Sequence, residues 1–230
     1  MKEEIYKLSN IGICYQKAGT LPWKVNKFWA LENVSFSIYR GETVGIIGCN
    51  GSGKSTLLRL LAGITSPDKG KLFSKAKSST LLSLGAGFDV RLTGIQNIYL
   101  NGLLLGISKK DIKEKIEDIK ELADIGAAIY EPVKTYSTGM RSRLGFSIAY
   151  HVDAEVILLD EVLAPGDEKF RLKATTLIKE KIKEESRTTI LVTHSLGLVE
   201  ELCDRVVHIE NRKNLDELPV TESIQRYKKV

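Results

Sequence analysis

Gly48-Cys49-Asn50-Gly51-Ser52-Gly53-Lys54-Ser55-Thr56 decides the reading of this chain. The run fits G-x-x-x-x-G-K-[ST], with Gly48, Gly53, Lys54 and Ser55 in the defining places. It follows the apolar Thr43-Val44-Gly45-Ile46-Ile47 and opens the helix-like Leu57-Leu58-Arg59-Leu60-Leu61-Ala62, the strand–loop–helix setting the motif requires. The chemistry needs these residue types. Glycines, here Gly48, Gly51 and Gly53, let backbone N–H groups turn toward phosphate oxygens, and the following helix adds the positive end of its dipole. Asn50, Ser52 and Thr56 belong to the same anion-binding run. Lys54 is placed to reach β- and γ-phosphates, and the Ser55 hydroxyl is a ligand for Mg²⁺. A site for a nucleoside triphosphate is expected.

The chain has 230 residues, 43% of them hydrophobic, enough for one large α/β domain or a core with an inserted subdomain. No apolar run approaches the ~18 residues that span a bilayer. The first residues, Met1-Lys2-Glu3-Glu4-Ile5-Tyr6-Lys7, lack the apolar stretch of a secretory signal. Cys14, Cys49 and Cys203 are odd in number and widely spaced, which argues for reduced thiols and a cytosolic setting. Cys49, inside the phosphate loop, reads as a tolerated small residue. The net charge of +5 is spread over helices with interleaved acids, as in Lys109–Glu121. No basic patch interleaved with aromatics argues for RNA or DNA, so nucleic acid is not an expected partner.

Residues 5–9 and 34–38 alternate apolar and polar like half-buried antiparallel strands, and Lys17–Trp29 between them reads as a loop or short helix. Residues 43–47, 156–160 and 189–193 are continuous apolar runs that suit a parallel sheet buried on both faces. From about Thr93 to Tyr150 the pattern is helical and is broken at Pro132. The expected organisation is a core of 1–84 and 153–213 with an antiparallel part, a helical subdomain at 85–152, and a C-terminal helix or tail at 214–230.

Two further runs carry chemistry. Val156-Ile157-Leu158-Leu159-Asp160-Glu161 is a buried-strand pattern that ends in two carboxylates. Asp160 would hold Mg²⁺, directly or through water, and Glu161 would take a proton from attacking water. Ser137-Thr138-Gly139, before the helix Met140–Tyr150, makes a second anion-binding helix start; taken alone it is an ordinary helix cap.

Together these runs resemble the nucleotide-binding subunit of ABC transporters, over nearly the whole chain. Ser137-Thr138-Gly139-Met140 resembles the family's signature, Leu159-Asp160-Glu161 its Walker B strand, Ala164-Pro165-Gly166-Asp167 its D-loop, and Thr193-His194-Ser195 its switch histidine. Tyr15 lies where the family stacks an aromatic ring on adenine. Several places depart from the pattern. Tyr136, Thr138 and Met140 alter the signature, Val162 replaces a proline, and Leu84-Gly85-Ala86-Gly87-Phe88 stands where a glutamine is usual, with Gln96 falling too late. Such departures resemble the branch that exports O-antigen, capsular polysaccharide and teichoic acid. Longer members of it carry a C-terminal carbohydrate-binding domain, which is not expected in a chain that stops at Val230.

The resemblance implies an α/β fold: a P-loop NTPase core of mixed sheet and helices, an antiparallel β subdomain and an inserted helical subdomain. It implies ATP and Mg²⁺, with catalytic roles for Glu161, His194 and Lys54 and metal ligation by Ser55 and Asp160. A second copy of the chain would complete an ATP-sandwich homodimer, its Ser137 and Gly139 meeting the γ-phosphate held by the first copy, and Asp167 is a further nucleotide-binding candidate. An integral membrane permease would hold the pair at the cytoplasmic face of the inner membrane, with lipid-linked polysaccharide as cargo. Gly85–Asn97 is the expected groove for the permease, and Trp23 and Phe28 are further contact candidates, while Trp29 reads as core. An ABC ATPase for a different exported substrate, or a nucleotide-dependent regulatory protein, remains an alternative. Glu161 and His194 argue against the second. His151 and His208 read as structural.

Overall fold

The computed structural model describes residues 2–18, 25–82, 87–160, 167–184, 187–214 and 220–227. In chain order the elements are β1 (Glu4–Ala18), β2 (Val25–Tyr39), β3 (Thr43–Ile47), α1 (Lys54–Leu61), β4 (Lys69–Ser74), β5 (Ser79–Leu82), α2 (Gly94–Leu104) and α3 (Lys109–Ala123). They continue with α4 (Thr138–Tyr150), β6 (Val156–Asp160), α5 (Glu168–Glu184), β7 (Thr188–Val192), α6 (Leu196–Leu202), β8 (Arg205–Glu210), β9 (Lys213–Asn214) and α7 (Val220–Tyr227). They fall into two compact units, one of residues 1–81, 155–160 and 185–230, the other of 82–154 and 161–184.

In the first unit the strands among the described residues form two sheets, ordered β2-β1-β4 and β5-β6-β7-β3-β8-β9. Parallel pairing of β6 with β7 and of β3 with both β7 and β8 accounts for the apolar runs: every residue of β3 and β7 is buried. Ile46, Leu158, Ile190 and Val207 of this sheet share a core with Leu57, Leu58 and Leu60 of α1 and with Ile5, Leu31 and Phe36 of the antiparallel sheet. Ile224 of α7 packs with Ile47, Val199 and Val206.

The segment that reads as a loop or short helix, Lys17–Trp29, is strand on both sides. β1 runs to Ala18 and β2 begins at Val25, and the residues from 19 to 24 lie outside the described residues. Register explains the difference. Cys14 stands opposite Trp29 and Tyr15 opposite Phe28, so aromatics that look unpatterned along the chain are cross-strand partners. Trp29 also lies against Gly12, with the Lys69 ammonium 4.4 Å from its ring centroid.

In the second unit Ile98, Ile112, Ile119, Leu144 and Ile148 form the core between α2, α3 and α4. Thr93 caps α2 in a reciprocal box with Gln96, so Gln96 serves the helix start. Ser108 caps α3, and Asp124, at φ 48°, ends it. Short 3-10 turns at Gly126–Tyr130 and Val133–Thr135 flank Pro132, where the helical pattern breaks. α5 groups with this unit, not with the 153–213 segment, because Phe170 meets Phe146 edge-to-face at 5.6 Å and Arg143 pairs with Asp167.

Candidate functional site

The loop from Gly48 to Gly53 leaves the carboxyl end of β3, between β7 and β8, and is hemmed in on two sides. A Cβ on Gly48 would lie 2.2 Å from the Ile209 carbonyl oxygen and 2.7 Å from Ser52 Oγ. At Gly53 (φ 107°) it would lie 2.4 Å from the Ala30 carbonyl oxygen. Glycine at both places is therefore steric necessity. Lys54 is buried, and its Nζ donates to the carbonyls of Gly48 (2.7 Å) and Cys49 (3.0 Å), which curls the ammonium back into the loop. Ser52 is buried too, and among the described residues its Oγ has no hydrogen-bond partner. Such an orphan costs about 1–3 kcal/mol unless something bonds to it.

Ser55 Oγ donates to Asp160 Oδ1 at 3.4 Å. This pair of hard oxygens suits Mg²⁺, which takes few protein ligands beside phosphate and water. The orphaned hydroxyl, the glycine cradle and the oxygen pair all fit a metal-bound polyphosphate. Asp160 ends β6 in register with Val192 of β7, and the exposed His194 stands two residues past that partner. Thr193 Oγ1 accepts from the Ser195 N–H at 3.1 Å and shapes that turn. Asn50 is exposed in the loop, Thr56 half-buried on α1. Gly48–Thr56, Asp160 and His194 thus gather at the carboxyl ends of neighbouring parallel strands, where open α/β sheets bind ligands. Tyr15, 38% exposed, lies on β1 opposite Phe28. Glu161 lies outside the described residues, as do Leu84–Ala86, Ala164–Gly166 and Trp23.

Ser137, Gly139 and Asp167 lie in the second unit. Ser137 caps α4, accepting from the Met140 N–H at 3.2 Å, and is exposed. Tyr136 before it is buried, and its hydroxyl donates to the Ala128 carbonyl at 2.7 Å, which fixes the turn from which α4 starts. Asp167 accepts from the Phe170 N–H at 3.0 Å and pairs with Arg143. That N–H first and the guanidinium second hold its carboxyl below the usual carboxylate range. Arg143 also donates to the Asp124 carbonyl at 3.1 Å. The sequence singles out neither Arg143 nor Arg212, whose guanidinium sits on Phe28. Their partners are distant in the chain and carry no local pattern.

A phosphate-binding loop at the end of a central parallel strand, opening the helix behind it, defines a P-loop nucleotide-binding cassette. The family model for ABC transporters matches residues 31–164. The chain belongs to that family. It is 43% identical over 190 residues to the O-antigen export system ATP-binding protein RfbB of Klebsiella pneumoniae, covering 83% of this chain and 77% of that protein. It is also 43% identical over 199 residues to the teichoic acids export ATP-binding protein TagH of Bacillus anthracis, covering 86% of this chain and 36% of TagH. Among solved structures, the dimeric ATP-binding cassette MJ0796 bound to ADP and Pi superposes with a TM-score of 0.76 over 94% of this chain and 99% of that one. At 22% identity this likeness speaks for the fold, an ABC cassette. Among the described residues, no helix is long and apolar enough to cross a membrane.

Proposed function

We propose that this chain is the ATP-hydrolysing subunit of an ABC exporter that moves a lipid-linked polysaccharide across the cytoplasmic membrane. Two copies would act together, held at the cytoplasmic face by an integral permease. The observation that carries the cargo class is the 43% identity, over most of the chain, to ATP-binding proteins of O-antigen export and of teichoic acids export.

When bound, Mg²⁺ supplies charge neutralisation between the phosphates. Lys54 trades its two carbonyl partners for phosphate oxygens, and Ser52 Oγ, without a partner among the described residues, gains one. Ser55 and Asp160 hold the metal, and Tyr15 stacks on adenine. Glu161 takes the proton of the attacking water, and His194 orients the γ-phosphate. Ser137 and the Gly139 N–H of the second copy, at the start of α4, meet the γ-phosphate from the other side, with Asp167 bordering that contact. Hydrolysis to ADP and phosphate removes the charge that holds the two copies closed.

Purification from solubilised membranes tests the assembly. Two copies of this chain with a polytopic membrane protein are expected. A chain recovered only in the soluble fraction, with no membrane partner, contradicts the transport reading.

A further inference from the structure

Arg212 occupies a backbone position that favours glycine. β8 and β9 are joined through Asn211 and Arg212, at φ 48° and 69°. Asn-Gly is the preferred pair for two such residues, and a long side chain there is strained. The turn is pinned to β2, since the Arg212 carbonyl accepts from the Glu32 N–H at 2.8 Å. The guanidinium lies 4.3 Å from the centroid of the Phe28 ring. Phe28 stands directly opposite Tyr15 in the β1–β2 register, so the two rings share one face of the sheet.

The same two segments border the phosphate loop. Ile209, three residues before Arg212, crowds Gly48, and Ala30, two residues after Phe28, crowds Gly53. Between the pairs Ile13↔Leu31 and Cys14↔Trp29, β2 spends two residues for one on β1, which makes Ala30 the extra residue of a bulge. Bulges bend a strand and re-aim its side chains beside sites. One stretch of β2 therefore touches the loop at Ala30 and carries the Phe28–Arg212 contact just beyond it.

We propose that Arg212, held over the Phe28 ring, binds the nucleoside end of the triphosphate. The inference rests on the reading of Tyr15 as the base-stacking residue and adds a second wall to that seat. A guanidinium offers five N–H donors, no acceptor and a planar face. Its donors match ring nitrogens and ribose oxygens, and its plane matches a purine. Lys54, Ser52 and the start of α1 serve the phosphates, so the side chain's contribution is separable from theirs.

Calorimetric titration of the full chain with ATP and, separately, with tripolyphosphate tests this. Arg212→Gly suits the backbone at φ 69°, so the variant is expected to fold. It should bind ATP about tenfold more weakly, the scale of one charge-assisted hydrogen bond or cation–π contact, while tripolyphosphate binding stays within about twofold of wild type. Unchanged ATP affinity overturns the proposal. So does a parallel loss for tripolyphosphate, which would mean that only the charge matters. Tyr15→Ala in the same titration reports on the underlying seat: unchanged ATP affinity there contradicts the stacking reading on its own.

Discussion

Gly53 has the Ala30 carbonyl oxygen 2.4 Å from where a Cβ would stand, and its φ of 107° lies outside what other residues adopt cheaply. Gly53→Ala should cost about 1–3 kcal/mol in backbone strain alone and abolish ATP binding, read by thermal unfolding and titration. A wild-type melting temperature would contradict the packing of the loop against β2. Glu161→Gln tests a different link. Turnover should fall by at least about a hundredfold while ATP affinity is kept, because only the proton acceptor is lost. Ordinary turnover in that variant would remove Glu161 from its role as base. The thiols differ in the same local way. Burial, aided by the Asp204 charge, pushes the Cys203 thiol up to about 12, while Cys49 is exposed in the loop. Alkylation at pH 8 should therefore label Cys49, be suppressed by ATP, and spare Cys203.

The start of α4 has a cap and, under the proposed function, a phosphate contact, which Ser137→Ala alone cannot separate. Ser137→Ala should destabilise α4 by roughly 1 kcal/mol through loss of its cap. Asn is also a good cap, so Ser137→Asn should restore the melting temperature but not ATP turnover if the hydroxyl itself meets phosphate. Full recovery of turnover with Asn would leave Ser137 a cap and nothing more. The end of α4 gives a pH effect. Burial, more than any other influence, depresses the His151 pKa below its usual 6.5; Lys181 and Lys115 add to this, while the Ser147 carbonyl and Asp118 oppose it. A histidine with a depressed folded pKa binds fewer protons folded than unfolded. Its contribution is thus present above pH about 6.5 and lost as pH falls through the lower folded value. The fall in melting temperature from pH 7.5 to 5.5 should shrink in His151→Asn, and an equal fall in both proteins would contradict the assignment.

The elements also mark what a sequence can and cannot disclose. The phosphate loop, the Walker B strand and the capped start of α4 are legible because each is a contiguous run whose spacing meets one chemical demand. The strand character of Lys17, Ala18 and Val25–Trp29 is not, because Tyr15–Phe28 and Cys14–Trp29 become pairs only when β1 and β2 come into register. Gln96 reads as a displaced motif residue until its bond to the Thr93 N–H makes it half of a capping box. Arg143 and Arg212 have partners fixed by tertiary contacts, Asp167 across 24 residues and Phe28 across the whole fold.

At the scale of the molecule, the candidate site residues fall in both units. The phosphate loop, Asp160, His194 and Tyr15 belong to one, and Ser137, Gly139 and Asp167 to the other. Under the proposed function, each copy brings one of each set to a shared pair of ATP sites, and the permease couples their closure to movement of a glycan. The most direct measurement is ATP hydrolysis by the chain reconstituted in proteoliposomes with its co-purified membrane partner, with and without lipid-linked polysaccharide. Hydrolysis stimulated several-fold by the glycan, and lost in Lys54→Ala, is the expected result. A rate indifferent to every lipid-linked glycan tried, in a complex that still turns over ATP, would contradict the assigned cargo and leave the nucleotide site standing.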